Sequence, residues 1–379
     1  MKSSRALIGL LALAITAGAE AQSSWPFWDH YAARFITRDG RVVDPDRDSM
    51  TTSEGQAYGM FFALVADDRP MFESLRSWTE ANLSHGDLGG TLPSWSWGRD
   101  NTGAWRVLDP NSASDADLWM AYSLIQAGGL WKDPQYSRTG EAMLAQIAKQ
   151  EVSVLPGVGP VLLPGTNGFH PAPNRWMLNP SYLPLPVLIG VSHCDPAGPW
   201  RKMAEALPVW MAQASPRGFA MDWVEYVDGH GFSPWTGPGT ASPQARGSYD
   251  AIRVYLWAGM APKSMPGGEK TIRIFAAMCH LLRMDPVPPE SIDAGGTLSS
   301  TPGPAGFSAA LYPLLRSAGE TLTAEEQLHR VTSEIDRRTG LLGTPAHYYD
   351  QNLALFGLGW QQQLFQFAPD GTLRVRWKK

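Results

Sequence analysis

The sequence predicts an all-α protein in which an inner ring of six helices is wrapped by an outer ring of six. Six segments begin with small or hydroxyl residues and continue as almost wholly apolar helices, a pattern typical of helices buried on every side. Six further segments alternate with these along the chain and have one apolar stripe and one charged face. Such helices bury one side and leave the other in water.

The apolar segments, which we assign to the inner ring, are residues 52–66, 113–128, 180–191, 245–260, 304–315 and 345–359. The amphipathic segments, assigned to the outer ring, are residues 25–36, 69–83, 134–150, 200–213, 268–283 and 323–338. Short strands are predicted in the loops, as hairpins at 154–163 and 219–232 and a last strand at 373–377. Several small helical domains are the alternative, but no linker marks a boundary. We therefore expect one domain over 22–379.

The first 21 residues have the pattern of an export signal. Lys2 and Arg5 give a positive start, residues 6–17 form an apolar run, and residues 19–21 read A-E-A, a cleavage-site pattern. The apolar run is shorter than the roughly 20 residues that span a bilayer, which disfavours an uncleaved membrane anchor. We expect cleavage near Ala21 and a mature protein in the periplasm or outside the cell.

Composition excludes several functional classes. A formal net charge of −5 with scattered charges gives no electrostatic footprint for nucleic acid. No Cys or His cluster has zinc spacing and no glycine loop cradles phosphate, so we expect an enzyme without a cofactor. Two cysteines, Cys194 and Cys279, are too few for a disulfide framework, although they could pair. The 16 tryptophans stand out most, because flat rings fill cores and also stack on sugars.

Three predicted inner helices begin with a carboxylate. These carboxylates are Glu54 in TTSEGQ, Asp115 in SASDAD and Asp250 in GSYDAIR. Helix capping explains any one of them, because acids favour the positive end of the helix dipole. If the inner helices run parallel, however, all three carboxylates open on the same face of the ring. The sequence therefore predicts a carboxylate-lined mouth there.

Paired carboxyls are what glycosidic bond hydrolysis requires. One protonated carboxyl gives its proton to the leaving oxygen, and one carboxylate acts on the other side of the sugar. The proton donor must keep its proton near neutral pH, so burial and neighbouring acids must outweigh the helix dipole. Candidate residues for holding the sugar are Trp95, Trp97, Asn111, Tyr182, Tyr249 and Arg253, with core packing as the alternative for the rings. Arg253, three residues after Asp250, either keeps that base ionised or is a solvated residue.

The same residues resemble the motifs of glycoside hydrolase family 8. Residues 113–124, ASDADLWMAYSL, are similar to the specific signature of that family. Residues 52–60, TSEGQAYGM, resemble its proton-donor helix, and residues 248–253, SYDAIR, resemble the segment with its catalytic base. Further similar stretches, WP, LPSWSWG, NPSYLP and GPAGFS, spread the resemblance over nearly the whole mature chain.

The resemblance implies an (α/α)6 barrel and an inverting endo-β-1,4-glucanase. Carried over by position, Glu54 is the general acid and Asp250 the general base. Asp115 matches a position sometimes labelled the nucleophile, but inversion makes no covalent intermediate, so we expect it to position sugar and water. Asp117 is expected to be structural. The resemblance is closer still to one branch of the family, the periplasmic endoglucanases encoded with bacterial cellulose synthase, which implies cellulose as partner and an association with the synthase complex.

Three alternatives remain open at this stage. The first alternative is that the substrate is another polymer cut by the same family, such as xylan, chitosan or mixed-linkage glucan. A catalytically idle glucan-binding subunit is a second reading, which the presence of Glu54, Asp115 and Asp250 disfavours. A polysaccharide lyase on a similar helical ring is the third, although nothing in the sequence points to an acidic sugar.

Overall fold

The computed structural model describes residues 25–237 and 245–378. Its helices are α1 (Pro26–Phe35), α2 (Ser53–Val65), α3 (Arg69–Leu83), α4 (Ser114–Leu130), α5 (Pro134–Gln150), α6 (Leu185–Cys194), α7 (Trp200–Ala214), α8 (Ala251–Met260), α9 (Gly268–Ile274), α10 (Ala276–Met284), α11 (Ala305–Ala318), α12 (Thr321–Ser333) and α13 (Tyr348–Gln361). The export signal predicted at 1–21 lies outside the described residues. No described helix has the length and apolarity needed to cross a membrane.

Six of these helices form a closed inner ring. Packing runs from α2 to α4, α6, α8, α11 and α13 in turn. The ring closes between α13 and α2, where Phe356 packs against Phe61 and Phe62 with ring centroids 5.4 and 4.6 Å apart. The other seven described helices pack outside. Six of them, α3, α5, α7, α9, α12 and α1, contact α2, α4, α6, α8, α11 and α13 respectively, and α10 contacts α11.

The interior of the ring is filled with aromatic side chains. Phe61, Phe62, Trp119 and Phe356 are 0–1% exposed, and Trp119 packs on both Phe61 and Phe356. Because the inner helices are apolar on every side, they fill the centre of the ring as well as pack against their outer partners. The barrel therefore has a solid core, and polar groups gather at its ends.

Short antiparallel strands occupy the loops. They are β1 (Thr51–Thr52), β2 (Ser96–Arg99), β3 (Trp105–Asp109), β4 (Val152–Leu155), β5 (Gly159–Leu162), β6 (Arg175–Leu178), β7 (Trp223–Val227), β8 (Gly231–Trp235), β9 (Arg246–Gly247), β10 (Ile292–Asp293), β11 (Phe365–Phe367) and β12 (Leu373–Val375). The pairs β4–β5 and β7–β8 are the two predicted hairpins. In the second hairpin Gly229 has φ +78°, as a tight turn requires.

Several predicted boundaries were wrong. The outer helix expected at 268–283 is broken at Phe275, where φ −97° and ψ 21° leave helical geometry and the buried ring packs edge-on against Tyr255. The inner helix expected from 245 begins only at Ala251, because residues 246–247 pair with β10. The last strand ends at Val375 rather than 377, and a 3-10 turn follows it. Cys194 and Cys279 are both free.

Candidate active site

The first turns of three inner helices meet at one end of the barrel. Glu54 is the second residue of α2, Asp115 is the second residue of α4, and Asp250 immediately precedes α8. Arg253, in the first turn of α8, contacts α4 and α2 as well as its own helix. The three N-termini therefore open on the same side, as the sequence predicted.

Arg253 joins the carboxylates of two different helices. Its Nη1 donates to Asp115 Oδ2 at 2.8 Å and to the Tyr58 hydroxyl at 2.9 Å. Its Nη2 donates to Asp250 Oδ1 at 2.6 Å. The guanidinium is buried, with 8% of the side chain exposed, so the solvated alternative for Arg253 is wrong. A planar fork of donors suits this bridging position.

Glu54 is not the residue that caps α2. Thr52 accepts the Gly55 N–H through its hydroxyl at 3.1 Å, and the Ser53 N–H is taken by the carbonyl of Trp95 at 2.9 Å. The Glu54 side chain is half-buried, and its enclosed Oε2 has no hydrogen-bond partner among the described residues. Burial raises the pKa of Glu54, although Arg253 and Arg47 partly offset this effect.

Asp115 and Glu54 compete for one proton. Burial first, and then repulsion from Glu54, raise the pKa of Asp115 to about 7, while Arg253 opposes the rise. Such a value belongs to the coupled pair. Asp115 has a donor on each oxygen, since Oδ1 accepts the Ala116 N–H at 2.9 Å and Oδ2 accepts from Arg253. Glu54 Oε2 has no donor among the described residues, so the charged form of Glu54 is less well supported by hydrogen bonds than that of Asp115.

Asp250 is more exposed than Asp115, with 32% of its side chain accessible against 1%. Its position is fixed by Asp222, a residue that the sequence analysis missed. Asp222 Oδ1 accepts the backbone N–H groups of Ser248, Asp250 and Ala251 at 2.7, 3.1 and 2.8 Å, which caps α8 from a distant loop. Burial and repulsion from Asp250 raise the pKa of Asp222 to about 6.

Tyrosines line the approach to the carboxylates. Tyr182 lies under Arg253, whose guanidinium carbon is 5.7 Å from the ring centroid. Burial, followed by the charges of the three site carboxylates, raises the pKa of Tyr182 well above its usual range. Tyr349 donates to the backbone carbonyl of Tyr249, whose own ring is 45% exposed and whose hydroxyl reaches Glu290 at 3.2 Å.

The other predicted sugar-binding residues make their contacts with the protein. The backbone of half-buried Trp95 joins α2 to the Asn111 loop, where the Trp95 N–H donates to the Asn111 carbonyl at 2.7 Å. The Asn111 side chain is bound to the loop that contains Asn167, because it donates to the Asn167 carbonyl at 3.0 Å. Trp97 stacks on Trp105 at 4.9 Å and meets Trp78 of α3 edge-on. Their roles toward sugar stay predictions.

A second aromatic group was missed because it falls in a predicted hairpin. Trp223, the first residue of β7, stacks on Phe169 at 6.0 Å and lies 6.5 Å from Tyr182. The rings therefore continue from Tyr182 away from Arg253. Sequence alone offers no signal here, because alternating strand residues give no clue to which rings share a surface.

The carboxyls gathered at one end of the inner helices are the kind of groups that glycoside hydrolysis requires. The model of glycosyl hydrolases family 8 matches residues 2–363. An endoglucanase of Xanthomonas axonopodis pv. citri is 43% identical over 376 residues, 98% of this chain and 95% of that protein. An endoglucanase of Escherichia coli K12 is 40% identical over 359 residues, 94% of this chain and 93% of that protein.

The solved structures agree with the sequences. The endo-1,4-D-glucanase of Vibrio fischeri superposes with a TM-score of 0.86 at 36% identity, over 94% of this chain and all of that one. The chain therefore belongs to glycosyl hydrolase family 8, and its two rings of helices are the (α/α)6 barrel. It is a glycoside hydrolase.

Proposed function

We propose that the protein is an endoglucanase that hydrolyses internal β-1,4-glucosidic bonds of cellulose. The observation that carries the proposal is the contrast between two carboxyls at the same end of the barrel. Glu54 has an enclosed oxygen with no donor among the described residues, while Asp250 is partly exposed and ion-paired with Arg253. We infer that Glu54 carries the proton to be donated and that Asp250, paired with Arg253, acts as the base. The endoglucanases of Xanthomonas and E. coli, similar over nearly their whole length, support the choice of bond.

The mechanism follows from these two protonation states. Glu54 gives its proton to the glycosidic oxygen as the bond breaks. Asp250 takes a proton from the attacking water, which adds to the anomeric carbon on the opposite face. A single displacement of this kind inverts the anomeric configuration and forms no covalent intermediate. General acid and base catalysis of this type contributes about 10²–10⁴-fold for each group.

Asp115 acts as a positioning and charge-stabilising residue. Both of its oxygens are engaged, one by Arg253 and one by the Ala116 N–H, so it is poorly placed to give or take a proton. Its negative charge beside Glu54 raises the proton affinity of the acid. It also favours the positive charge that develops on the sugar ring as the bond breaks.

We further propose that the protein acts in the periplasm during cellulose synthesis and export. The support is the export-signal pattern of residues 1–21 and the resemblance to endoglucanases encoded with cellulose synthase. N-terminal sequencing of protein recovered from the periplasm should begin near Gln22. Deleting the gene should change cellulose output or chain length, and unchanged cellulose would count against this role.

The catalytic proposal is tested by viscosity loss and reducing-end release from carboxymethylcellulose. Glu54→Gln and Asp250→Asn should each lose at least about 10²-fold in kcat. Glu269→Gln, in an exposed ion pair on α9, is the matched control and should keep full activity. Proton NMR of the first product should show the α-anomer. Xylan, chitosan and mixed-linkage glucan should be tested in the same assay. If one of them is cleaved faster than the cellulose derivative, that polymer and not cellulose is the substrate.

A further inference from the structure

The hairpin β2–β3 carries arginine and tryptophan side chains on one face. Residues two positions apart on a strand, or paired across neighbouring strands, point to the same face, so Trp97, Arg99 and Trp105 lie together. The rings of Trp97 and Trp105 stack with centroids 4.9 Å apart, and Trp105 is 39% exposed. Arg41, from the loop after α1, reaches the same rings. We call Arg41, Trp97, Arg99 and Trp105 the hairpin patch.

Both arginines of the hairpin patch stand over the same tryptophan ring. The guanidinium carbons of Arg41 and Arg99 lie 4.6 and 4.8 Å from the Trp105 centroid. A guanidinium that contacts a ring through its flat face keeps the N–H donors at its edge available. Arg41 uses one of these donors on the Ser49 carbonyl at 3.4 Å, whereas the Arg99 side chain makes no hydrogen bond to another described residue. The patch therefore presents unused donors to the solvent.

The two positive charges of the hairpin patch lack a close counter-charge. In the described part of the chain, neither Arg41 nor Arg99 has a carboxylate within ion-pair distance, although Arg106 on the opposite face of the hairpin pairs with Asp100 at 2.8 Å. Burial lowers the pKa of Arg41, and the charge of Arg99 adds to this effect, while Asp39 opposes it. An anion bound between the two guanidinium groups would relieve their mutual repulsion.

The hairpin patch continues outward from the open end of the barrel. Thr52, which caps α2, pairs with Ser96 of β2, and Glu54 follows two residues later. From Ser96 the strand β2 leads away from the start of α2. Arg99 is three residues further along it, or about 10 Å of extended strand. A glucan that lies over Glu54 and extends in this direction therefore meets the hairpin patch.

We propose that the hairpin patch binds a negatively charged substituent on a glucan chain that extends past the catalytic carboxyls. The free guanidinium donors of Arg41 and Arg99 match the oxygen atoms of an anionic group. The exposed part of the Trp105 ring contacts the sugar that carries this group. Because the chain has a net charge of −5, a local positive patch is needed to hold an anionic polymer against it. The inference rests on the proposed function and names a substrate class for it, glucans with anionic substituents.

Binding without turnover tests the hairpin patch. Affinity electrophoresis of the Glu54→Gln protein compares retardation by carboxymethylcellulose, whose substituents are anionic, with retardation by hydroxyethylcellulose, whose substituents are neutral. Adding Arg41→Gln and Arg99→Gln should weaken binding to carymethylated chains about three- to tenfold, the scale of two exposed ion pairs. High salt should abolish this loss, because it screens exposed charges. Binding to hydroxyethylcellulose should stay the same.

Arg106→Gln is the matched control, because it removes a cation from the opposite face of the same hairpin and should leave both affinities unchanged. Arg99→Gln alone should give part of the loss, and it decides the question if the half-buried Arg41 is needed for folding. Equal losses on the two polymers, or no loss on carboxymethylcellulose, would overturn the proposal. The same dependence on both arginines with polygalacturonate would also overturn it, since that acidic polymer has no glucan backbone.

Hydrolysis by the wild type separates this inference from the proposed function. If the wild type cuts carboxymethylcellulose but its binding does not depend on Arg41 and Arg99, the inference is wrong and the proposed function stands. If the wild type cuts neither polymer while the charge-dependent binding is observed, the proposed function is wrong. The hairpin patch is then an anion-binding site on a glucan-binding protein.

Discussion

Arg253 of α8 donates a 2.8 Å hydrogen bond to Asp115 of α4, and the two side chains are 8% and 1% exposed. The residues are 138 positions apart in the sequence, so no local sequence pattern predicts the contact. The same guanidinium also pairs with Asp250, the residue that immediately precedes α8. One cation therefore sets the relative positions of two site carboxylates on different helices.

Replacing Arg253 with lysine should keep the charge and lose the bridge. An ammonium is a point charge and cannot hold two carboxylates in the geometry of the guanidinium fork. We expect Arg253→Lys to fold and to lose about 10²-fold in kcat, the order lost on removing one preorganised donor. Steady-state kinetics on carboxymethylcellulose measure this loss. Arg273→Lys, in an exposed pair with Glu269, is the control and should be unchanged.

Losing Asp222 should damage the start of α8. In Asp222→Ala three backbone N–H groups lose their acceptor, so we expect about 1–2 kcal/mol less stability, the usual scale for a lost cap. Because one of those groups belongs to Asp250, kcat should fall as well. Asp222→Asn keeps an acceptor oxygen and should stay much closer to wild type.

A cap on an outer helix separates these two effects. Asp133 caps α5 by accepting the Gln135 N–H at 3.1 Å, away from the carboxylates. Asp133→Ala should therefore lose comparable stability in a denaturant melt while keeping kcat. If Asp222→Ala keeps its kcat too, Asp222 does not position the base.

Stability should fall as pH rises through the range in which Asp115 and Glu54 titrate. The pKa of Asp115 is raised to about 7, whereas an unfolded aspartate titrates near 4. Between these values the folded protein binds the extra proton, so its stability decreases as pH rises from about 4 to 7. Glu54→Gln removes the repulsion, and its melting temperature should decline a few degrees less between pH 5 and 8. Equal declines in the two proteins would contradict the coupling.

The inner helices approach so closely that one added methyl group should matter. A Cβ on Gly357 of α13 would lie 2.1 Å from the carbonyl oxygen of Ala309 on α11. Gly357→Ala should therefore cost about 1–3 kcal/mol, as overpacking does. Gly129→Ala in α4 meets nothing within 4 Å and should be neutral or gain up to about 1 kcal/mol. Chemical denaturation of both variants checks this contrast.

The ring architecture could be predicted from the sequence because burial and helical period act locally. Segments such as 52–66 are apolar on every side, and only a position inside the ring accommodates them. The break at Phe275 could not be predicted, since it depends on how that ring meets Tyr255. The start of α8 was misplaced because a strand pair and a distant carboxylate, Asp222, set it.

The candidate site could also be predicted only in part: its carboxylates could be predicted from the sequence, but their partners could not. Glu54, Asp115 and Asp250 stand at helix starts, which is a local signal. The partners that hold them in place, Arg253 for the Asp115 side chain and Asp222 for the Asp250 backbone, come from contacts between distant parts of the chain.

The aromatic plug inside the inner ring also decides how a polymer can approach. Because Trp119, Trp257 and Phe356 from three inner helices pack against one another with ring centroids 5.0–5.4 Å apart, the described part of the barrel has a filled centre through which no strand can be threaded. A glucan therefore has to lie across the open end of the barrel, where Glu54 and Asp250 are located at the starts of α2 and α8. Such a strand needs no free terminus to be cut, and both fragments can leave without sliding back.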